Sequence, residues 1–109
     1  MSIISEVLEI ISKYKPTRGL LHNIVYLTSK YSKNLSWEIT ITGLYSKELE
    51  EVINTLIENS IVKTCSNGRL TLDTCPEKSF DARKIISYAV KQYLIHLTSR
   101  ETGKIIIRG

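Results

Sequence analysis

A chain of 109 residues with 42% hydrophobic and 24% charged residues has the composition of one globular domain, with no room for a second full one. That balance excludes a disordered or collagen-like chain, and no apolar run approaches the roughly 18 residues of a membrane span. The net charge of +4 is unevenly distributed: residues 1–33 carry +3, residues 34–76 carry −3 and residues 77–109 carry +4.

The N-terminus lacks a basic leader, and Glu6 and Glu9 interrupt the apolar core that a signal peptide needs, so the expected location is cytoplasmic. Ser2 caps a first helix in which Ile3, Ile4, Val7, Leu8 and Ile11 recur at helical spacing up to the Lys15-Pro16 break. Thr17 caps a second, with Leu20, Leu21, Ile24, Val25, Leu27 and Tyr31 facing a core and Ser32-Lys33-Asn34 marking its end. Trp37 to Thr42 alternates apolar with polar residues and predicts a half-buried strand stopped by Gly43. Ser46 then caps a third helix running through residue 59, with Leu49, Val52, Ile53, Leu56 and Ile57 as its stripe.

Asn67-Gly68, flanked by β-formers, predicts a two-residue type I′ hairpin. Pairing about it sets Cys65 opposite Leu70 and Lys63 opposite Leu72, so Ile61, Cys65, Leu70 and Leu72 share a face and Lys63 is the misfit that must reach back to water. After Pro76 a long helix is expected over 79–99, and Lys104–Arg108 reads as a short strand. A disulfide between the two cysteines, Cys65 and Cys75, is conceivable, but in a cytosolic chain reduced thiols are the default expectation.

The stretch from Leu20 to Lys63 resembles winged-helix proteins common in thermophilic archaea and their viruses. Ile41-Thr42-Gly43-Leu44-Tyr45-Ser46, running into Leu49, Leu56 and Ile61-Val62, looks like the strand, G-P-Y-S turn, helix and wing of archaeal and phage-associated winged-helix-like proteins, with Leu44 in place of the usual proline. The resemblance implies an α+β winged-helix domain over the whole chain, 1–109, with residues 17–75 as its core and 79–99 as a C-terminal helix. Gly43-Leu44-Tyr45 leaves no space for a support helix before the third helix, so a helix-turn-helix is truncated here.

By analogy the expected function is a small, dimeric, non-enzymatic DNA-binding protein, a transcriptional regulator. The DNA-binding residues would be Lys47 and Asn54 on the third helix, Lys63, Asn67 and Arg69 on the wing, and Arg83 and Lys84 on the last helix, where Lys91 and Arg100 are also basic. The third helix argues against close DNA contact, because it holds one Lys and four Glu. The alternative is therefore a winged-helix protein-interaction module or adaptor without direct DNA binding. The apolar stripe of the last helix exceeds what one small domain needs, which predicts a homodimer through Ile86, Val90, Tyr93, Leu94 and Leu97; failing that, it would pack on the first helix through Ile4, Leu8 and Ile11.

No catalytic set is expected. His22 and His96 have no Cys, Ser or Asp at a motif spacing and read as surface or core histidines, and the scattered glycines form no phosphate-cradling loop. The six tyrosines fall mostly in helical patterns and read as core or interface residues. The spacing of Cys and His supports no zinc site, so neither metal nor cofactor is expected.

Overall fold

The computed structural model describes residues 2–78 and 81–100, so the expected strand over Lys104–Arg108 lies outside the described residues. The protein is α+β, with four helices and two small antiparallel hairpins among those residues.

Helix α1 (Ile3–Tyr14) turns Val7, Ile10 and Ile11 inward and ends at Lys15, which takes a left-handed conformation with φ 47° and donates its N–H to the Ile11 carbonyl. Pro16 forbids continuation. Helix α2 (Arg18–Thr28) starts where the Thr17 hydroxyl accepts the Leu20 N–H at 3.3 Å, and its Leu20, Leu21 and Val25 are fully buried. It ends before the expected Ser32-Lys33-Asn34, which forms a separate 3-10 turn. Helix α3 (Lys47–Glu58) is capped by the Ser46 hydroxyl and packs Leu49, Ile53 and Leu56 into the same core. Burying each such side chain contributes roughly 1.5–3 kcal/mol, and this shared core holds the three helices together.

The expected single strand over Trp37–Thr42 is instead the first half of a hairpin. Strand β1 (Glu38–Thr40) pairs with β2 (Gly43–Tyr45), Glu38 opposite Tyr45 and Thr40 opposite Gly43, and Ile41-Thr42 makes the turn. Gly43 takes φ +100°, which makes the reversal possible. Ile39 and Ile41, expected to be half-buried, stand in solvent, Ile41 fully so. The buried asparagine Asn23 fixes this hairpin to α2: its amide nitrogen donates to the carbonyls of Gly19 (2.7 Å) and Thr42 (3.3 Å), and its oxygen accepts the Leu44 N–H at 3.0 Å.

The second hairpin joins β3 (Lys63–Thr64) to β4 (Leu70–Thr71), but not in the expected register. Lys63 stands opposite Thr71 and Thr64 opposite Leu70, one residue away from the type I′ pairing. Cys65 N–H donates to the Arg69 carbonyl and Gly68 N–H to the Cys65 carbonyl, so the loop holds three residues, with Gly68 at φ +87° as the third. Cys65 and Leu70 are buried as expected, but Ile61 and Leu72 face water, Thr71 is buried beside Leu70, and Lys63 is exposed. The α1–α2 linker adds a third edge, because the Leu70 N–H donates to the Pro16 carbonyl at 2.8 Å and Thr17 bridges Arg69.

The two thiols expected to be free form a disulfide, Cys65–Cys75, with Cα atoms 5.7 Å apart. The chain after β4 returns Cys75 to Cys65, which adjoins the hairpin loop, a proximity that a separation of 10 residues does not reveal by itself.

Helix α4 (Arg83–Arg100) begins after Asp81, whose carboxylate accepts the Arg83 N–H at 3.2 Å, and residues 79 and 80 of the expected start lie outside the described residues. It packs on α2 and β2 rather than on α1. Ala89 is fully buried, Ile86 abuts Gly43, and the Tyr93 hydroxyl donates to the Trp37 carbonyl at 3.0 Å. Ile86 and Tyr93, two of the five expected dimer residues, thus serve the fold of their own chain. Val90 and Leu97 are half-buried, and Leu94 is exposed.

Candidate nucleic-acid interface

Residues four apart share one side of a helix, so Arg18 and His22 of α2 face Glu50 and Asn54 of α3. The His22 ring is buried, and its Nδ1 accepts the backbone N–H of Ser46 at 3.1 Å. The ring proton therefore sits on Nε2, which donates to Glu50 Oε1 at 3.0 Å. Arg18 Nη1 lies 3.5 Å from the other Glu50 oxygen, and Arg18 Nη2 donates to Asn54 Oδ1. Tyr45 stacks on the imidazole with ring centroids 4.8 Å apart. A continuous polar chain thus couples the α3 cap to the outer face of α3.

Burial lowers the His22 pKa below its ordinary 6.5; hydrogen bonding and attraction from Glu50 oppose this, and Arg18 adds to the lowering. A histidine with a depressed folded-state pKa binds its proton more readily when unfolded, so its stabilising contribution is present above about pH 6.5 and is lost as pH falls below it. Urea unfolding should give a lower midpoint at pH 5 than at pH 7.5, and His22→Gln should flatten that difference. If His22→Gln retains the full slope, another group titrates. Two carboxylates act in a more acidic window. Hydrogen bonds from its own backbone, Ser36 and Ser46 hold Glu48 down to about 2, and Lys15 together with Thr74 and Thr71 holds Asp73 there as well. The stability these two supply is present above the ordinary carboxylate range and is lost as pH falls through it toward 2.

The Arg18–Asn54 contact, beside the Thr17–Arg69 bridge, brings the start of α2, the outer face of α3 and the β3–β4 hairpin onto one surface. Lys47, in the first turn of α3, and Lys63, on β3, are exposed. Asn54 is exposed but already accepts from Arg18. At the hairpin, the Asn67 side chain accepts the Arg69 N–H at 3.2 Å and donates to the Pro76 carbonyl at 3.0 Å. The Arg69 guanidinium, expected at the tip, folds back instead: Nε donates to Lys15 O (2.7 Å), Nη2 to Tyr14 O (2.9 Å) and Nη1 to Lys78 O (2.7 Å). Arg83 is paired with Asp81 at 3.1 Å and Lys84 is exposed, both in the first turn of α4. The Arg100 side chain lies outside the described residues.

Of the four α3 glutamates, Glu50 is paired with Arg18, while Glu48, Glu51 and Glu58 are exposed, Glu48 being held as a carboxylate by the neutral hydroxyls of Ser36 and Ser46. Of these four charges, only that of Glu50 is offset by a cation among the described residues. Arg18 escaped the sequence reading although its four-residue spacing from His22 was visible; its partners lie 32 and 36 positions away. Among the described residues, no group of three or more His, Cys, Asp or Glu is placed to hold a metal ion, and no helix is long and apolar enough to cross a membrane.

No protein-family model matches the chain, and neither does any curated protein or solved structure.

Proposed function

We propose that the protein is a non-enzymatic, winged-helix-type DNA-binding protein, of the kind that acts as a transcriptional regulator. The observation that carries this reading is the single surface formed by Arg18, Asn54 and the β3–β4 hairpin, because a winged helix meets duplex DNA through the start of one helix, the outer face of the next and the wing. Lys47, Lys63 and Arg18 contact phosphates, and Asn54 is the side chain aimed at base edges. Arg69 and Asn67 support the wing and do not read DNA. A disulfide within the wing fits an oxidising compartment or the interior of a hyperthermophile.

Fluorescence anisotropy with a mixed-sequence duplex tests it. Three phosphate contacts should give a log–log salt slope of roughly −3, and Lys47→Ala with Lys63→Ala should reduce its magnitude by roughly 2. Absence of binding at low salt, or an unchanged slope in the double variant, overturns the reading. The rival, an adaptor with no direct DNA contact, is favoured by one specific observation: Arg69 gives three nitrogens to carbonyls while Glu51 and Glu58 remain exposed on α3.

A further inference from the structure

A groove of about 1190 Å³ runs between the end of α2 with the loop after it and the outer half of α4. Leu27, Leu35 and Trp37 line one side and Tyr88, Ile95 and Leu97 the other. Ile95 continues it into a second hollow of about 310 Å³ formed with Leu94 and Lys91. Tyr88, Leu94 and Ile95 are each about half exposed, at 55%, 48% and 50%. This volume exceeds that of a drug-sized pocket and suits several side chains of a macromolecular partner.

Its charge states what kind of partner. No Asp or Glu occurs from residue 10 to residue 37, or from residue 82 to residue 100, so the segments forming both walls lack acidic residues. Lys33 and His96 line the groove and Lys91 the adjoining hollow. One ionised carboxylate, Glu48 of α3, reaches this edge, where it accepts the Ser36 N–H and hydroxyl at 3.1 and 2.9 Å, against the cations Lys33 and Lys91. Three of the four aromatic rings pack on one another rather than forming a row for bases: Tyr26 meets Trp37 and Tyr93 edge-on, at 5.2 and 5.8 Å between centroids, and the Trp37 indole N–H is held by the Ser32 carbonyl, which leaves Tyr88 as the open ring. What stays open is the aliphatic pair Leu94 and Ile95 with the single ring of Tyr88, and cations stand around it. A second copy fits poorly, because its α4 brings the same lysines and its acidic α3 has turned its apolar stripe into the core.

We propose that this groove docks an acidic amphipathic helix of a partner protein, with apolar side chains at i, i+3, i+4 and i+7 along the Leu35–Ile95–Leu94 line and carboxylates against Lys33 and Lys91. The DNA reading uses none of these residues, so the two stand or fall separately.

Trp37 is the only tryptophan and lines the groove, so its emission reports occupancy directly. The probes are designed helical peptides with Leu, Ile or Phe at helical spacing and Glu elsewhere, beside the same peptides with Lys for Glu. The acidic set should shift Trp37 emission to saturation and the Lys set should not. Ile95→Asp and, separately, Lys33→Glu with Lys91→Glu should weaken acidic-peptide binding roughly tenfold or more. Both lie at exposed positions, and circular dichroism checks that each variant is folded. The proposal is overturned if no acidic peptide moves the emission, if the Lys set binds equally well, or if folded variants bind like the unmodified protein. It is overturned equally if the emission responds instead to anionic lipid vesicles, to duplex DNA or to the protein's own concentration.

Discussion

Gly43→Ala should be the most damaging small substitution in the chain, lowering the melting temperature by roughly 10–20 °C, as expected for a loss of about 3–5 kcal/mol in a domain of this size. Two independent costs combine. At φ +100° an L side chain is strained, which costs about 1–3 kcal/mol. A Cβ built there would also lie 2.6 Å from Ile86 Cγ2 and 2.7 Å from Asn23 Oδ1, and overpacking of this kind costs a further 1–3 kcal/mol, roughly. Neither neighbour yields freely, since Asn23 holds three hydrogen bonds and Ile86 fixes α4 on β2. Gly68→Ala separates the terms, because φ there is +87° but the nearest atom, Thr17 Cγ2, is 4.0 Å away. Calorimetry should find Gly68→Ala the milder by at least half, and equal losses would show that close packing at Gly43 contributes nothing.

The same two glycines mark where the sequence was legible and where it was not. Helix α3 was readable almost to the residue, because Ser46 caps it and a single stripe supplies its core face. Asn67-Gly68 announced a turn, but it did not announce that Asn67 would hold Arg69 N–H and Pro76 O, with Gly68 third in the loop rather than second. Cys65 and Leu70 kept their expected burial, whereas Ile61 and Leu72 came to face water. Gly43 is equally ambiguous in sequence, because a glycine after an alternating run can end a strand or, as here, permit its reversal. The α4 stripe was also visible, yet periodicity says that a face is covered and not by what. Ile86 and Tyr93 found β2 and Trp37 in the same chain, while Tyr88 and Ile95, which remain open, were not picked out as interface residues. The candidate site was hardest to read, because its geometry rests on pairs such as Arg18–Asn54 and Arg69–Tyr14, 36 and 55 residues apart.

Arg69→Ala should destabilise the protein by roughly 2–3 kcal/mol, since hydrogen bonds from a charged donor contribute about 1.5–3 kcal/mol each and the exposed ones recover water when lost. The carbonyls of Tyr14 and Lys15 belong to the C-terminus of α1, where helix carbonyls have no partner within the helix and the dipole favours a cation. Through Nη1 the same side chain holds Lys78 O, and Asn67 and Lys15 hold the neighbouring carbonyls of Pro76 and Thr74. Arg69 therefore ties three parts of the chain, the end of α1, the β3–β4 hairpin and the approach to α4. Arg69→Lys keeps the charge but loses the planar fork, so it should recover at most part of the loss. A guanidinium inserted in a minor groove would behave otherwise: Arg69→Ala would leave the unfolding midpoint in urea unchanged and reduce the salt slope of DNA binding by about one. The clamp predicts the reverse, a lower midpoint with the slope of the folded fraction unchanged, and measuring both on one variant decides between them.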